Sequence, residues 1–252
     1  MAILIKDDQS IEKIAIAGTI ISKIFSAIRA IDLCGMTTLQ LDERISSMIK
    51  EHGGIPTFFQ YRGFPKHCCI SLNDQVVHGI PDDRTIKKGD LVKVDVGVTY
   101  NGYIADAATT IAVGDITDDV QRLIDTTKQA LRSGIAQAQK GKHISNISMS
   151  IQTVVEEQGF NVIRELTGHG VGHSLHEEPT IPNFVCNAPD PKLDAGMVLA
   201  IEPMVTMGDY PVVTEANGWT ITTQDGSLSA HFEDTIVITK RGNMNVTRVV
   251  ES

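Results

Sequence analysis

The feature that most constrains this chain is a segment that occurs twice. GMTTLQLDERISSMIKEHG runs from Gly35 to Gly53 and GKHISNISMSIQTVVEEQG from Gly141 to Gly159, with the bounding glycines equally far apart. Leu41 aligns with Ile147, Ile45 with Ile151, Met48 with Val154 and Ile49 with Val155, a three-and-four spacing that predicts the buried stripe of one helix in each copy. Thr37 and Gln40 predict a capping box at the first helix start, and Gly53 and Gly159 supply the left-handed residue that stops each helix. A longer amphipathic helix precedes each copy. It carries Ile11, Ile14, Ile21, Ile24 and Ile28 in the first half and runs from Asp118 to Gln139 in the second. An apolar strand follows each copy, KGDLVKVDVG and then AGMVLAIEPM. In these strands Gly89 matches Gly196, Leu91 matches Val198, Val94 matches Ile201 and Asp95 matches Glu202.

Duplicated helix–helix–sheet units of this length do not bury their apolar faces separately, so the two halves are expected to pack about a pseudo-two-fold axis, sheets joined and helices outside. The expectation is a single domain over residues 1–252, built from related halves of about 1–114 and 115–252. The 22 Lys and Arg against 31 Asp and Glu leave a net charge of −9, which argues against a specific grip on nucleic acid. No stretch approaches the roughly 18 apolar residues of a membrane span, and the start, MAILIKDDQS, lacks a signal-peptide pattern. A cytoplasmic protein with no membrane partner is expected. Cys34, Cys68, Cys69 and Cys186 show no CxxC spacing and are expected to be reduced thiols.

Asn101-Gly102 predicts a two-residue type I′ hairpin. If Tyr100 faces Tyr103 across it, Asp106 lies opposite Gly97, with Asp95 as its diagonal neighbour on the same face. Both acids sit among Val94, Val96, Ile104, Ala105 and Ala107, where a lone buried carboxylate would cost several kcal/mol unless protonated or paired. Lys93 shares their face by parity, so an ion-paired hairpin is one reading. Glu202 and Glu233, in MVLAIEP and HFEDTIVIT, bring the apolar-embedded carboxylates to four. Two divalent cations would neutralise them. His169, His173 and His176 crowd into TGHGVGHSLHEEP, a glycine-rich segment that no helix could hold, and His78 lies in VVHGIPDD; His52, His67 and His143 are expected to be solvated. An oxygen-dominated site with one imidazole favours Mn, Fe or Co, with Zn left open.

Taken in order, CISLN at 69–73, HGIPDD at 78–83, VDV at 94–96, GYIAD at 102–106, TGHGVG at 167–172, LHEEP at 175–179, AIEPMV at 200–205 and SLSA at 227–230 give a chain that resembles methionine aminopeptidases of the short, single-domain bacterial class. The resemblance implies the pseudo-two-fold pita-bread α/β fold, with an antiparallel-rich sheet in the centre and two pairs of helices outside. It implies two divalent ions held by Asp95, Asp106, His169, Glu202 and Glu233. Glu202 is implied as proton shuttle, His176 as donor to the developing oxyanion and His78 as partner of the scissile amide nitrogen. Tyr61, Phe64, Cys69, Leu175 and Trp219 are implied to form the cup for a methionine side chain, beside His78 and His176. The implied substrates are N-terminal methionyl peptides and nascent chains with a small second residue, handled by a monomer, with contact to the ribosome left open.

The sequence departs from the family's usual residues at Arg62, Gln75, Ala107, Ala108 and Asp234. Two other functions fit the same fold. A proline-specific peptidase usually carries an additional N-terminal domain, for which 252 residues leave no room, and a non-catalytic binding protein would lack a ligand residue, whereas none is missing.

Overall fold

The computed structural model describes residues 2–248. In the first half α1 (Asp8–Arg29) and α2 (Thr38–Glu51) precede β1 (Ile55–Pro56), β2 (Cys69–Leu72), β3 (Gln75–Val77), β4 (Leu91–Tyr100) and β5 (Tyr103–Ala112). In the second half α3 (Asp118–Gln137) and α4 (Ile144–Glu157) precede β6 (Asn161–Val162), β7 (Thr167–Gly170), β8 (Glu177–Pro182), β9 (Val198–Ile201) and β10 (Met204–Thr206). There follow β11 (Val212–Thr214), β12 (Ile221–Thr223), β13 (Ser229–His231), β14 (Asp234–Thr239) and β15 (Gly242–Asn245). This is the mixed α/β architecture, rich in antiparallel pairs, that the sequence predicts. Among the described residues no helix is long and apolar enough to cross a membrane.

The repeat reappears as matched packing. Leu41, Ile45 and Ile49 of α2 and Ile147, Ile151 and Val155 of α4 are all fully buried, while Met48 and Val154 are both only partly covered. The capping box of α2 is closed in both directions: Gln40 N donates to Thr37 Oγ1 at 3.1 Å and Thr37 N to Gln40 Oε1 at 2.9 Å. The paired glycines Gly53 and Gly159, and Gly89 and Gly196, all take positive φ, so each pair makes the same left-handed turn. One core packs Ile14, Ile21 and Ile24 of α1 and the α2 stripe against Val92, Val94 and Val96; the other packs Leu123 and the α4 stripe against Leu199, Ile201 and Ile236.

Asn101 (φ 47°) and Gly102 (φ 81°) form the hairpin turn, and β4 and β5 pair with Tyr100 opposite Tyr103 and Gly97 opposite Asp106, the predicted register. β1 and β2 line the other edge of β4 in succession, while a five-stranded antiparallel sheet runs β15-β14-β9-β7-β8. A bridge between Ala108 and Glu233 links the two sheets: Glu233 N donates to Ala108 O at 3.0 Å. Thr235 reinforces the seam, accepting from Asp106 N at 3.0 Å and donating to Asp106 O at 2.7 Å. β3 of the first half pairs with β12 of the second, which carries the end of β3 to the loop before β12.

Candidate metal centre and substrate pocket

Asp95 and Asp106 come from neighbouring strands of the first half, and His169 lies in β7. Glu202 follows the end of β9, and Glu233 sits on the bridge just before β14, because the apolar run through HFEDTIVIT breaks at Phe232. His169 reaches the centre through a tight local fit. A Cβ on Gly168 would lie 2.4 Å from the Ala200 carbonyl oxygen, and one on Gly170 would lie 2.2 Å from that of Glu178, so only glycine lets β7 lie this close to both neighbours. His169 Nδ1 donates to Gly170 O at 2.9 Å, which leaves Nε2 with its lone pair toward the carboxylates.

One ligand atom each from Asp106, His169 and Glu233 lie within 4.8 Å of one another. His169 Nε2 is 3.5 Å from Glu202 Oε1. Among the described residues, buried side-chain atoms without a hydrogen-bond partner include Asp95 Oδ1, Asp106 Oδ1, Glu233 Oε1 and His231 Nε2. Burial, followed by mutual repulsion, holds Asp95 and Glu233 well above the usual carboxylate range; burial and then Asp106 do the same to Glu202. Burial raises Asp106 to about 7. Lys93 does not neutralise them: its ammonium donates to Asn73 O at 2.5 Å and Ser229 O at 3.0 Å, and burial lowers it to about 7. Orphaned carboxylate oxygens crowded with a neutral imidazole, without a basic side chain among them, are a donor set suited to divalent cations.

All twelve residues singled out from the sequence line one cavity of about 290 Å³. The acids and His169 supply its polar lining, and Phe64, Cys69, Leu175 and Trp219 its apolar wall. Trp219 is half-buried, with its ring edge-on to Phe64 at 5.2 Å and to His78 at 6.5 Å, a meeting made possible by the β3–β12 pairing. His176 Nδ1 lies 2.9 Å from Tyr61 Oη, and its ring lies 4.3 Å from that of His169. Burial lowers His78 to about 4 and His169 to about 3, and burial followed by the Arg62 charge lowers His176.

The same cavity takes in Phe58, Val77, Leu166 and Met204, which the sequence analysis does not single out, and places Arg62 at its exposed margin. His231 also escapes it: the side chain is 1% exposed and its Nε2 is 3.5 Å from Glu202 Oε2. The other departures point elsewhere. Asp234 accepts from Thr247 Oγ1 and Asn245 Nδ2, each at 2.8 Å, and Gln75 joins Leu72 N to the Glu215 carboxylate. His67 is not simply solvated, since its Nδ1 is 2.8 Å from the buried carboxylate of Asp42. His173 is an exposed loop residue against Tyr103.

The sequence model of metallopeptidase family M24 matches residues 12–240. The chain belongs to this family. M24 membership makes it a metal-dependent peptidase that works with divalent ions, in keeping with the donor set just described. It is 44% identical over 241 residues to a methionine aminopeptidase of Clostridium acetobutylicum, an alignment covering 95% of this chain and 96% of the relative. It is 47% identical over 215 residues to methionine aminopeptidase 1 of Bacillus subtilis, covering 85% and 87%. The crystal structure of a methionine aminopeptidase from Thermotoga maritima superposes with a TM-score of 0.95 at 40% identity, covering 98% of this chain and all of that one. The pita-bread fold of this M24 chain follows from that superposition.

Proposed function

We propose that this chain removes the N-terminal methionine from peptides and nascent proteins, preferring a small second residue, as one catalytic domain made of the halves 1–114 and 115–252. The observation that carries the reading is the convergence of buried carboxylates from both halves, three of them with an orphaned oxygen, with His169 in one apolar-walled cavity. Asp95, Asp106, His169, Glu202 and Glu233 would hold two divalent ions. Such ions supply Lewis-acid polarisation of the scissile carbonyl and a water of near-neutral pKa.

The remaining chemistry falls to the chain's own side chains. Glu202 takes a proton from the attacking water and delivers it to the leaving amine. His176 donates from Nε2 to the carbonyl oxygen as charge develops on it. Tyr61 favours that tautomer, because a hydroxyl proton given to Nδ1 leaves the ring proton on Nε2. His78, held neutral by burial at a positive φ of 58°, hydrogen-bonds the scissile amide nitrogen. Tyr61, Phe64, Cys69, Leu175 and Trp219 enclose the unbranched thioether side chain. The protein, stripped and reloaded with Mn, Co or Fe, should release methionine from Met-Gly-Met and leave an Xaa-Pro peptide intact. Cleavage of the proline peptide in its place would overturn the reading.

A further inference from the structure

Glu202 stands between two imidazoles. His169 Nε2 lies 3.5 Å from its Oε1, and His231 Nε2 lies 3.5 Å from its Oε2. His231 is almost completely buried, its Nε2 has no hydrogen-bond partner, and that atom lies outside the tight set formed by Asp106, His169 and Glu233. Its main chain is pinned on both sides. His231 N donates to Thr110 Oγ1 at 2.9 Å, Thr110 Oγ1 donates back to His231 O at 2.7 Å, and Met204 pairs with it across β10 and β13. With its backbone fixed this firmly and its orphaned Nε2 a few tenths of an ångström beyond hydrogen-bond range of a carboxylate oxygen, His231 needs only a small side-chain rotation to donate.

We infer that His231 is a positioning residue for Glu202: an Nε2–H to Oε2 holds one carboxylate oxygen and turns the other toward the metal centre. The inference rests on the proposed role of Glu202 as ligand and proton carrier. A carboxylate doing both must present a defined oxygen, and a donor on its far oxygen limits its rotation and sets its basicity.

The test compares His231→Leu, which keeps bulk and loses the donor, with His231→Gln, whose side-chain amide nitrogen extends to the place of Nε2. Calorimetric titration of each metal-free protein with Co(II) should show about 10–100-fold weaker binding in the Leu variant, with a similar fall in kcat and little change in KM, while Gln restores both to near the parent values. Leu binding and turnover equal to the parent, or a Gln variant as impaired as Leu at an unchanged Tm, would overturn the inference. If Leu does not fold, His231→Asn serves instead, because its amide stops short of Oε2: Asn impaired and Gln intact supports the inference, equal behaviour refutes it. The titrations use no substrate, so they read the role of His231 even if the unmodified protein fails to release methionine from Met-Gly-Met, a result that would sink the substrate reading alone.

Discussion

Replacing Asp106 by Asn should make the metal-free protein more stable at pH 8 while abolishing its activity. Asp106 is 4% exposed, and burial moves its carboxyl from 3.8 to about 7. A group whose pKa is raised on folding contributes its full stability below the unfolded value and loses it as pH rises through the folded value. Each tenfold change in proton affinity is worth about 1.36 kcal/mol, so burying this carboxyl costs the metal-free fold roughly 2 kcal/mol at pH 5, where it folds protonated, and about 4 kcal/mol by pH 8. Asn has the same shape and no charge to bury. Urea unfolding of both stripped proteins across this range should therefore show the advantage of the Asn variant widening with pH. Two Mn ions, each at about 100 times its Kd, should reverse the order, since each adds about 2.7 kcal/mol to the protein that binds it. A stripped Asn variant no more stable than the parent at pH 8 would refute the reasoning, because Asp106 would then have a compensating partner within the chain.

Three further outcomes follow from named contacts. Lys93→Met removes the buried ammonium that donates to Asn73 O and Ser229 O and should cost about 1–3 kcal/mol in urea unfolding; the number of metals bound, read by elemental analysis, should not change, whereas an ion-paired hairpin would lose it. Asp42→Ala removes the acceptor for His67 N, Cys68 N, the Cys68 thiol and His67 Nδ1. It should lower Tm and, by loosening the wall that carries Cys69, raise KM more than it lowers kcat in steady-state assays. Tyr61→Phe removes the hydroxyl beside His176 Nδ1 and should lower kcat less than His176→Ala, for which losing an oxyanion donor costs about 10²–10³-fold.

Much of this arrangement is legible in the sequence because it depends on short-range periodicity. The stripes Leu41–Ile45–Ile49 and Ile147–Ile151–Val155 declare two equivalent helices, and Asn101-Gly102 fixes the register that sets Asp106 opposite Gly97. Contacts between distant segments are harder to read. Parity places Lys93 on the face of Asp95, yet it does not say where a long flexible stem ends, and here the ammonium goes to Asn73 and Ser229. His67 reads as solvated because its partner, Asp42, is 25 residues away on α2. His231 is hidden for a related reason: HFEDTIVIT reads as one strand, but the ladder breaks at Phe232, and the side chain meets Glu202 only through the pairing of β13 with β10.

The convergence of both halves on a pair of ions is tested most directly by crystals grown with Mn and an anomalous difference map. Two peaks should lie among Asp95, Asp106, His169, Glu202 and Glu233. A map without peaks there, at full Mn loading and with methionine still released from Met-Gly-Met, would contradict it.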